Sequence, residues 1–450
     1  MTRWLYSLLM WLAQPLLLCR LCYRGKKEAG YLHAIPERFG CYTTVLPPCP
    51  LTVWVHAVSL GETRAAAVLI AALRTQLPQL PQMRLLLTHG TATGRSEGVK
   101  CLQAGDVQAW QPWDTPGAVQ RFLAHFKPTI GILMETEIWP NLVHACQKNG
   151  VPMVLANARF SDKSMRKAKR LNLLARPAFS ALTAVWAQTS EDATRFSQLG
   201  APVRGVLGNL KFDATPDAAQ LTLGRQWRGA IAKPIVLLAS SREGEELALL
   251  KTLVSFCPLT HAQSALIATD LIANLVNQLQ WLIVPRHPQR FDAVADLIES
   301  QGFRVSRRSL WTANTPDTPS FPAQPCIWLG DSLGEMALYY GLADVALLGG
   351  SFEPLGGQNL IEAAACACPI VMGLHTFNFE QAAQQAQTAG AAFRATDLVH
   401  ALSLVHALVT DADRLQTASQ AATAFAQAHK GATERLAHEV VQLLTTSGAP

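Results

Sequence analysis

Short runs of β-branched residues and leucine alternate along the chain with alanine-rich stretches of helical length. In the first half these runs are LTVWVHAV, MRLLLTHG, TIGILME, VPMVLANA, AVWAQT and VRGVLG. In the second half the pattern restarts with IVLLAS, WLIVPR, CIWLGD, VALLGG and PIVMG. Continuous apolar strands separated by helices are typical of parallel sheets that are covered on both faces. The pattern therefore predicts two doubly wound, Rossmann-like α/β domains with a cleft between them.

A polar stretch bounded by prolines, ATPDAAQLTLGRQWRGAIAKP, separates the two series of strands and predicts a linker followed by a helix. A chain of 450 residues is long enough for two domains with full cores. We therefore place the N-terminal domain at 25–215 and the C-terminal domain at 216–450. The proline-rich stretch at 312–325 predicts a surface loop.

The N-terminus is nearly all apolar from Trp4 to Leu18, interrupted by Gln14 and Pro15, and no small-residue cleavage site follows it. This pattern predicts an uncleaved membrane anchor at 1–24. Its apolar span is close to the lower limit of ~17 residues for crossing a bilayer, so shallow or tilted insertion is an open alternative. The positive-inside tendency would keep the rest of the chain in the cytoplasm, because basic residues follow directly. These residues are Arg20, Arg24, Lys26 and Lys27.

Composition and charge argue against a disordered chain, a nucleic-acid-binding protein and a metal site. With 49% hydrophobic and 16% charged residues, the chain is globular rather than disordered. A formal net charge of +6 is too small to indicate a nucleic-acid partner. Ten cysteines without regular spacing indicate reduced thiols. Cys19 and Cys22, and likewise Cys366 and Cys368, have no second ligand pair nearby, so we predict packed side chains and no metal site.

Unusual polar stretches follow the predicted strands. They are SLGET with Glu62, HGTATGR, METEIWPN, NARFSDKS, SSREGEE, PRHPQRF and GDSLGEM. Ligands of open parallel sheets bind outside the carboxyl ends of the strands, so these stretches are candidate site residues. Glu135 and Glu137 occupy alternate positions of METEIWPN and would point the same way in a strand.

A glycine-rich stretch, LLGGSFEPLGGQNLIEAAACACPIVMG at 347–373, follows another strand. Glycine turns that lead into a helix commonly bind anions, although neither G-x-x-x-x-G-K-[ST] nor G-x-G-x-x-G occurs in that setting here. Asn359 and Glu362 have the spacing of a helix capping box, which is the alternative interpretation.

Taken together, these motifs resemble one family. The apolar N-terminus, SLGE, HGTATG, METEIWPN, NARFSDKS, GNLKFD, EGEE, VPRHPQRF, GDSLGEM, GGQN and GLHTFNF resemble the 3-deoxy-D-manno-octulosonic acid (Kdo) transferases of Gram-negative bacteria. The resemblance covers nearly the whole chain in the right order. It implies a GT-B type, inverting glycosyltransferase that moves Kdo from CMP-Kdo to a lipid A precursor, lipid IVA, in lipopolysaccharide core biosynthesis.

The resemblance implies a role for three residues of the N-terminal, acceptor-binding domain. Glu62 would be the general base, and Glu135 would stabilise the transition state together with Lys211. Each has a simpler alternative: Glu62 could merely complement a helix dipole, and Glu135 and Lys211 could form a structural ion pair. A single displacement needs one base and no covalent intermediate, in agreement with the lack of an evident nucleophile pair.

The resemblance also implies a CMP-Kdo site in the C-terminal domain, and no cofactor besides this donor. The implied CMP contacts are Pro285, Arg286, Leu333, Gly334, Glu335, Asn359, Leu360, Ile361 and Glu362. Glu362 would accept hydrogen bonds from the ribose hydroxyls. The chain departs from the family pattern at Gln358, where histidine is frequent, at Leu333, where methionine is frequent, and in SSREGEE.

The implied location is the cytoplasmic side of the inner membrane, with anionic lipids as a partner surface. A basic segment could bind lipid headgroups or acceptor phosphates, or it could be a solvated helix face. It contains Arg159, Lys163, Arg166, Lys167, Lys169, Arg170 and Arg176. Two other functions stay open at this point: another GT-B protein such as a nucleotide-sugar epimerase, and a membrane-tethered nucleotide-binding regulator without catalysis.

Overall fold

The computed structural model describes residues 2–76, 83–213, 215–255, 278–311 and 325–446. The chain forms two compact units. The first consists of Met1–Ala214 and His429–Pro450, and the second of Thr215–Ala428. The surface loop predicted at 312–325 lies, except for Pro325, outside the described residues.

The first unit contains a seven-stranded parallel sheet in the order β3-β2-β1-β4-β5-β6-β7. Its strands are β1 (Leu51–His56), β2 (Met83–His89), β3 (Val107–Trp110), β4 (Ile130–Met134), β5 (Met153–Ala158), β6 (Ala184–Ala187) and β7 (Val203–Val206). The strand order reverses between β1 and β4. In parallel sheets, ligands bind at the carboxyl ends of the two strands between which the order reverses.

The second unit contains another seven-stranded parallel sheet, in the order β10-β11-β9-β8-β12-β13-β14. Its strands are β8 (Ile235–Ser241), β9 (Gln280–Pro285), β10 (Arg304–Arg307), β11 (Cys326–Leu329), β12 (Val345–Leu348), β13 (Ile370–Met372) and β14 (Ala392–Arg394). Here the order reverses between β8 and β12. The prediction of two doubly wound domains with parallel sheets is confirmed.

Helices connect the strands in both units. Within the described residues they are α1 (Arg3–Leu12), α2 (Gln14–Lys27), α3 (Leu60–Gln76), α4 (Ala92–Gly98), α5 (Pro116–Phe126), α6 (Pro140–Lys148), α7 (Asp162–Arg170), α8 (Asn172–Ser180), α9 (Ser190–Gln198), α10 (Ala218–Gly229), α11 (Glu245–Ser255), α12 (Phe291–Ser300), α13 (Met336–Leu342), α14 (Leu360–Ala365), α15 (Glu380–Thr388), α16 (Leu398–Val409), α17 (Ala412–Ala428) and α18 (Ala432–Thr446). The helix predicted after the linker is α10.

Both faces of the first sheet are buried, which explains why its strands are continuous apolar runs. Val53 and Val55 of β1 pack with α3 and α18 on one face. Trp54 points to the other face, where it packs against Phe122 of α5. Alternate residues of one strand thus serve two separate cores.

The C-terminal segment differs from the predicted domain boundary. We placed 216–450 in one domain, but His429–Pro450 belongs to the first unit. The apolar face of α18 explains the difference, because Leu436 and Val440 pack in the same core as Leu69 of α3. The sequence shows an amphipathic helix here, but its pattern does not tell which of the two sheets the helix covers.

The N-terminal segment also differs from the prediction of one anchor helix at 1–24. Two helices, α1 and α2, meet at Ala13 with a bend of 52°. Pro15 accounts for the break, because its ring nitrogen cannot donate to the carbonyl of Trp11 and would crowd it. Neither α1 nor α2, nor any other single helix of the described ranges, has the length and apolar character to cross a bilayer; only the bent pair meets both criteria jointly.

Candidate active site

Glu62 lies in the first turn of α3, directly after β1. Its Oε2 accepts a hydrogen bond from the backbone N–H of Val58 at 2.6 Å, and Ser59 Oγ lies 3.3 Å from Oε1. Ser59 Oγ in turn accepts from the Glu62 N–H at 3.3 Å. The carboxylate therefore helps to cap α3, and its place in the first turn also fits the simpler alternative of a charge that complements the helix dipole. This capping also fixes the orientation of the side chain.

The electrostatic surroundings of Glu62 go beyond what a cap requires. Burial raises its pKa from 4.5 to about 7, and the nearby carboxylates of Glu135 and Glu137 contribute to the rise, against the hydrogen bonds from Val58 and Ser59. A carboxylate with a pKa near neutrality is a suitable general base, because it is partly ionised and still basic enough to take a proton. Capping and general-base catalysis are thus compatible at this position.

The HGTATG motif supports the turn that carries Glu62. Thr91 Oγ1 donates to the carbonyl oxygen of Val58 at 2.8 Å. Gly94 packs so closely that a Cβ there would lie 2.9 Å from the same oxygen. His89 Nδ1 lies 3.0 Å from the carbonyl oxygen of Ala57, and burial lowers the pKa of His89 to about 4. This histidine is therefore neutral and structural at physiological pH.

Glu135 and Lys211 form an ion pair, with Lys211 Nζ 3.1 Å from Glu135 Oε1. Glu135 follows β4, the neighbour of β1, so the switch point of the first sheet brings it near Glu62. Its φ of +58° lies in the left-handed region, which is strained for a glutamate. Such strain is frequent at functional sites, whereas a purely structural ion pair does not require it.

Glu137 also lies past the end of β4, which ends at Met134. The strand geometry that we expected for Glu135 and Glu137 therefore does not apply. Burial raises the pKa of Glu137, and Glu135 adds to the effect. The motif METEIWPN thus contributes two carboxylates to the surroundings of Glu62. The motif resemblance implies no role for Glu137, although its place two residues after Glu135 was a signal for one.

The predicted CMP contacts all lie at the carboxyl edge of the second sheet. Pro285 ends β9, and the buried ring of Pro285 precedes the exposed Arg286. Leu333 and Gly334 follow β11 and are exposed, with Gly334 at a φ of +80°. Glu335 precedes α13, where its carboxylate accepts from Arg308 at 2.8 Å and from Ser332.

The remaining predicted CMP contacts lie at the start of α14. Asn359 is the N-cap, and its Oδ1 accepts from the Ile361 N–H at 3.2 Å. The side chains of Leu360 and Ile361 are fully buried in the core. Because the backbone of both residues is buried as well, they support the turn from behind and present almost no accessible surface to a ligand. Glu362 is partly exposed on the first turn of the helix.

The first glycine pair before α14, Gly349 and Gly350, allows a close approach to the end of β8 and the start of α11. A Cβ at Gly349 would lie 2.4 Å from the carbonyl oxygen of Ser240. The N–H of Gly350 donates to Glu245 Oε2 at 2.7 Å. Gln358 lies against this loop, since a Cβ at Gly350 would be 3.1 Å from its Nε2. The glycines thus have a structural reason independent of any ligand.

The acids of EGEE hold this edge of the second sheet together, a role that the sequence did not reveal. Glu245 accepts from Gly350, Phe352 and Arg242 backbone N–H groups. Glu246 pairs with Arg290 through both guanidinium ends, at 2.8 and 3.0 Å. The sequence signal that could have indicated this role is the pair of adjacent acids, Glu245 and Glu246, in the first turn of α11. The roles of all predicted site residues towards substrate stay predictions.

Comparison with known proteins separates the remaining alternatives. A family model described as 3-deoxy-D-manno-octulosonic-acid transferase matches residues 33–214. A curated 3-deoxy-D-manno-octulosonic acid transferase of Bordetella pertussis is 44% identical over 442 residues, covering 97% of this chain and 98% of the relative. The enzyme of the same name from Haemophilus influenzae is 34% identical, with 85% of this chain and 84% of the relative covered.

Solved structures of other enzymes share the fold at much lower identity. A UDP-GlcNAc 2-epimerase from Neisseria meningitidis bound to UDP-GlcNAc has a TM-score of 0.52 and 13% identity, over 88% of this chain and all of the other. A protein from Listeria monocytogenes that is assigned to the UDP-N-acetylglucosamine 2-epimerases has a TM-score of 0.53 and 11% identity, over 88% of this chain and 96% of the other. Identity this low shows a GT-B-like fold alone, so the epimerase alternative has no support beyond the fold. The sequence relatives decide the matter: this chain belongs to the 3-deoxy-D-manno-octulosonic acid transferases and is a glycosyltransferase.

Proposed function

We propose that this Kdo transferase moves Kdo from CMP-Kdo to the lipid A precursor lipid IVA by one inverting displacement, with Glu62 as the general base. The observation that carries the proposal is the carboxylate of Glu62, whose pKa is raised to about 7 at the switch point of the first sheet. A carboxylate with this pKa takes a proton readily near neutral pH.

In the proposed step, Glu62 removes the proton from an acceptor hydroxyl as its oxygen attacks the anomeric carbon of Kdo. The bond between this carbon and the phosphate oxygen breaks on the opposite side, and CMP leaves with the electron pair. The capping contacts of Glu62 with Val58 and Ser59 hold the carboxylate still during the transfer. Preorganisation of this kind lowers the barrier, since no reorientation is needed in the transition state.

The Lys211 cation is proposed to stabilise negative charge in the transition state. The charge is either the carboxylate of Kdo or the departing phosphate. Glu135 holds the ammonium group in place, with Lys211 Nζ 3.1 Å from Glu135 Oε1. The strained backbone of Glu135 supports this assignment over a purely structural ion pair.

The second unit is proposed to bind the donor at the carboxyl edge of its sheet. Arg286 is exposed there and can form a charge-assisted hydrogen bond to the CMP phosphate. Glu362 can accept from the ribose hydroxyls, and the chain at Pro285, Leu333, Gly334, Glu335 and Asn359 would border the nucleotide. Leu360 and Ile361 would support this surface from the core behind it. The proposed reaction uses CMP-Kdo as its only co-substrate and needs neither a metal nor another cofactor.

The helix pair α1 and α2 is proposed to rest in the cytoplasmic interface of the inner membrane. Trp4, Trp11 and Leu16 expose 75%, 63% and 72% of their surface, an apolar face of the kind found on interfacial helices. Basic side chains of α7 are exposed and would add attraction to anionic lipids. These are Lys163, Arg166, Lys167, Lys169 and Arg170.

The central experiment incubates the purified protein with CMP-Kdo and tetraacylated lipid A precursor and determines the product mass. We expect an increase by whole Kdo units with release of CMP, and inversion at the anomeric carbon by NMR. No mass increase would contradict the proposed acceptor, and retained anomeric configuration would contradict the single displacement.

Membrane binding is tested by sedimentation with vesicles that contain anionic lipid. Replacing Trp4 and Trp11 by alanine should weaken binding strongly at high salt, because the apolar contact is lost while screening removes the electrostatic part. Leu310→Ala is the matched control, since Leu310 is 77% exposed in the second unit. Equal binding of both variants would contradict the proposed surface.

A further inference from the structure

Lys211 lies on a short turn, Leu210–Asp213, rather than on a strand or a longer helix. A single turn of 3-10 helix makes few hydrogen bonds of its own, so its position depends on neighbouring elements. Nevertheless Lys211 Nζ approaches Glu135 Oε1 to 3.1 Å. The contacts at the far end of the turn explain how this geometry is maintained.

Asp213 ends the turn and binds the start of α18. Its Oδ1 accepts from the N–H of Gly431 and its Oδ2 from the N–H of Thr433, both at 2.6 Å. Backbone N–H groups at a helix start have no partner within the helix, and the helix dipole favours a negative charge there. Gly431 has a φ of +87°, a conformation that favours glycine, so the chain is shaped to present these donors.

The helix that Asp213 binds is itself part of the frame around Glu62. Leu436 and Val440 of α18 share a core with Leu69 of α3, and Glu62 lies in the first turn of α3. Leu210 is buried in the same core. Asp213 therefore connects the turn of Lys211 to the scaffold that also positions Glu62.

We propose that Asp213 is a positioning residue, which holds Lys211 in place for transfer by fixing its turn to the N-terminus of α18. The inference rests on the proposed role of Lys211. Asp213 acts without touching substrate, because both of its carboxylate oxygens bind backbone N–H groups. The near end of the turn has an anchor of its own, the bond from the Leu210 N–H to Asn157 Oδ1 at 3.1 Å. Loss of Asp213 should therefore loosen the turn without detaching it.

The test compares Asp213→Ala and Asp213→Asn with Asp397→Ala. Asp397 is a matched control, because its Oδ1 caps α16 in the second unit by accepting from the His400 N–H at 2.8 Å. We expect Asp213→Ala to lower kcat roughly tenfold to a hundredfold, the range for a small displacement of a catalytic group. CMP affinity should stay within about twofold. Asp213→Asn keeps one acceptor oxygen and should give an intermediate kcat, which also covers the case of a poorly folding alanine variant.

A structural role alone would lower the melting temperature of Asp213→Ala and Asp397→Ala alike and leave kcat within about twofold of the parent in both. That outcome would overturn the proposal. A double-mutant cycle with Lys211→Ala gives a second criterion. If Asp213 acts through Lys211, Asp213→Ala should reduce kcat by less than about threefold once Lys211 is absent.

An unreduced effect of Asp213→Ala in the absence of Lys211 would overturn the inference while the role of Lys211 remained. A parental kcat of Lys211→Ala alone would overturn the proposed role of Lys211, and the inference with it. The two failures are therefore distinguishable by one set of four proteins: the parent, the two single variants and the double variant.

Discussion

Both units carry acidic side chains at the carboxyl edge of a parallel sheet, but the burial and the partners of these acids differ. In the second unit, Glu246 is 0% exposed and its charge is balanced by both ends of the Arg290 guanidinium. Glu245 accepts hydrogen bonds from three backbone N–H groups, which oppose the rise of its pKa by burial. In the first unit, Glu62 has one backbone N–H and a hydroxyl as partners, and it faces two further carboxylates.

This comparison shows that burial alone does not make an acid a candidate for catalysis. A fully paired carboxylate holds its surroundings together, as Glu246 does between Ser241 and Arg290. An incompletely compensated one, such as Glu62, keeps basicity that a substrate can use. The following experiments test whether these two classes of acid behave differently.

The largest effect is expected for Glu62→Gln. Transfer should fall about a thousandfold, because the amide cannot accept the proton, while CMP affinity stays within a few-fold. Steady-state kinetics and calorimetry with CMP measure the two quantities. Glu191→Gln makes the same change in the first turn of α9, at an exposed position, and should be neutral. A turnover above a tenth of the parent would show that Glu62 is only a cap.

Arg290→Ala tests the fully paired carboxylates, represented by Glu246. It leaves Glu246 buried without its counter-charge, so the free energy of unfolding should fall by about 3 kcal/mol. Urea denaturation measures the loss. Arg64→Ala breaks an ion pair whose arginine is 53% exposed and should cost less than about 1 kcal/mol. If both variants lost the same stability, the contrast between buried and exposed pairs would not hold in this chain.

Arg286→Ala should weaken CMP binding by roughly 1 to 3 kcal/mol, the usual contribution of a charge-assisted hydrogen bond, and Glu362→Ala should act in the same range. Calorimetry measures the affinity. Arg304→Ala removes an exposed arginine at the opposite, amino end of β10 and should leave CMP affinity unchanged. Unchanged affinity in the first two variants would mean that the nucleotide site is elsewhere.

The raised pKa of Glu62 predicts a pH dependence. Below about pH 7 the base becomes protonated, so kcat/KM should fall about tenfold per pH unit, and above it the rate should level off. A profile that is flat between about pH 5 and about pH 8 would contradict the role of Glu62 as base.

Stability should depend on pH in the opposite sense. Between pH 4.5 and about 7 the native state keeps a proton on Glu62 that the unfolded state has lost. Stability therefore decreases as pH rises through this window, and Glu62→Gln should lack that decrease. Urea midpoints of the parent and of Glu62→Gln at about pH 5 and about pH 8 would detect the difference.

Much of this architecture was predictable because both sheets are covered on two faces, which makes their strands continuous apolar runs. Glu62, Glu135 and Lys211 were predicted from motifs, and the parallel strand order explains how β1 and β4 bring the two acids together. The burial of Leu360 and Ile361 was not predictable from their position in a motif. Side-chain direction at the start of α14 depends on packing, which a local pattern does not contain.

The N-terminal helices show the same limit of local information. The apolar run was evident, yet its integration into the first unit was not. Ser7 Oγ donates to Asn141 Oδ1 at 2.9 Å, and the Tyr6 hydroxyl lies within hydrogen-bonding reach of the buried Asp114. Both partners are distant in sequence. A hydrophobic segment that looks separable is therefore connected to the start of α6, and its removal would leave Asp114 with one partner fewer.

The order of synthesis delays completion of the first unit, because α18 belongs to that unit but follows the second unit in the chain. Gly431, whose N–H binds Asp213, is synthesised 218 residues after it. At ~5–20 residues per second, the ribosome needs roughly 10 to 45 s to produce that stretch. Throughout this interval the face of α3 that α18 later covers stays open to chaperones or to other nascent chains, and the whole second unit is synthesised before the first unit is complete. The first part of the protein to be made is thus the last to be completed.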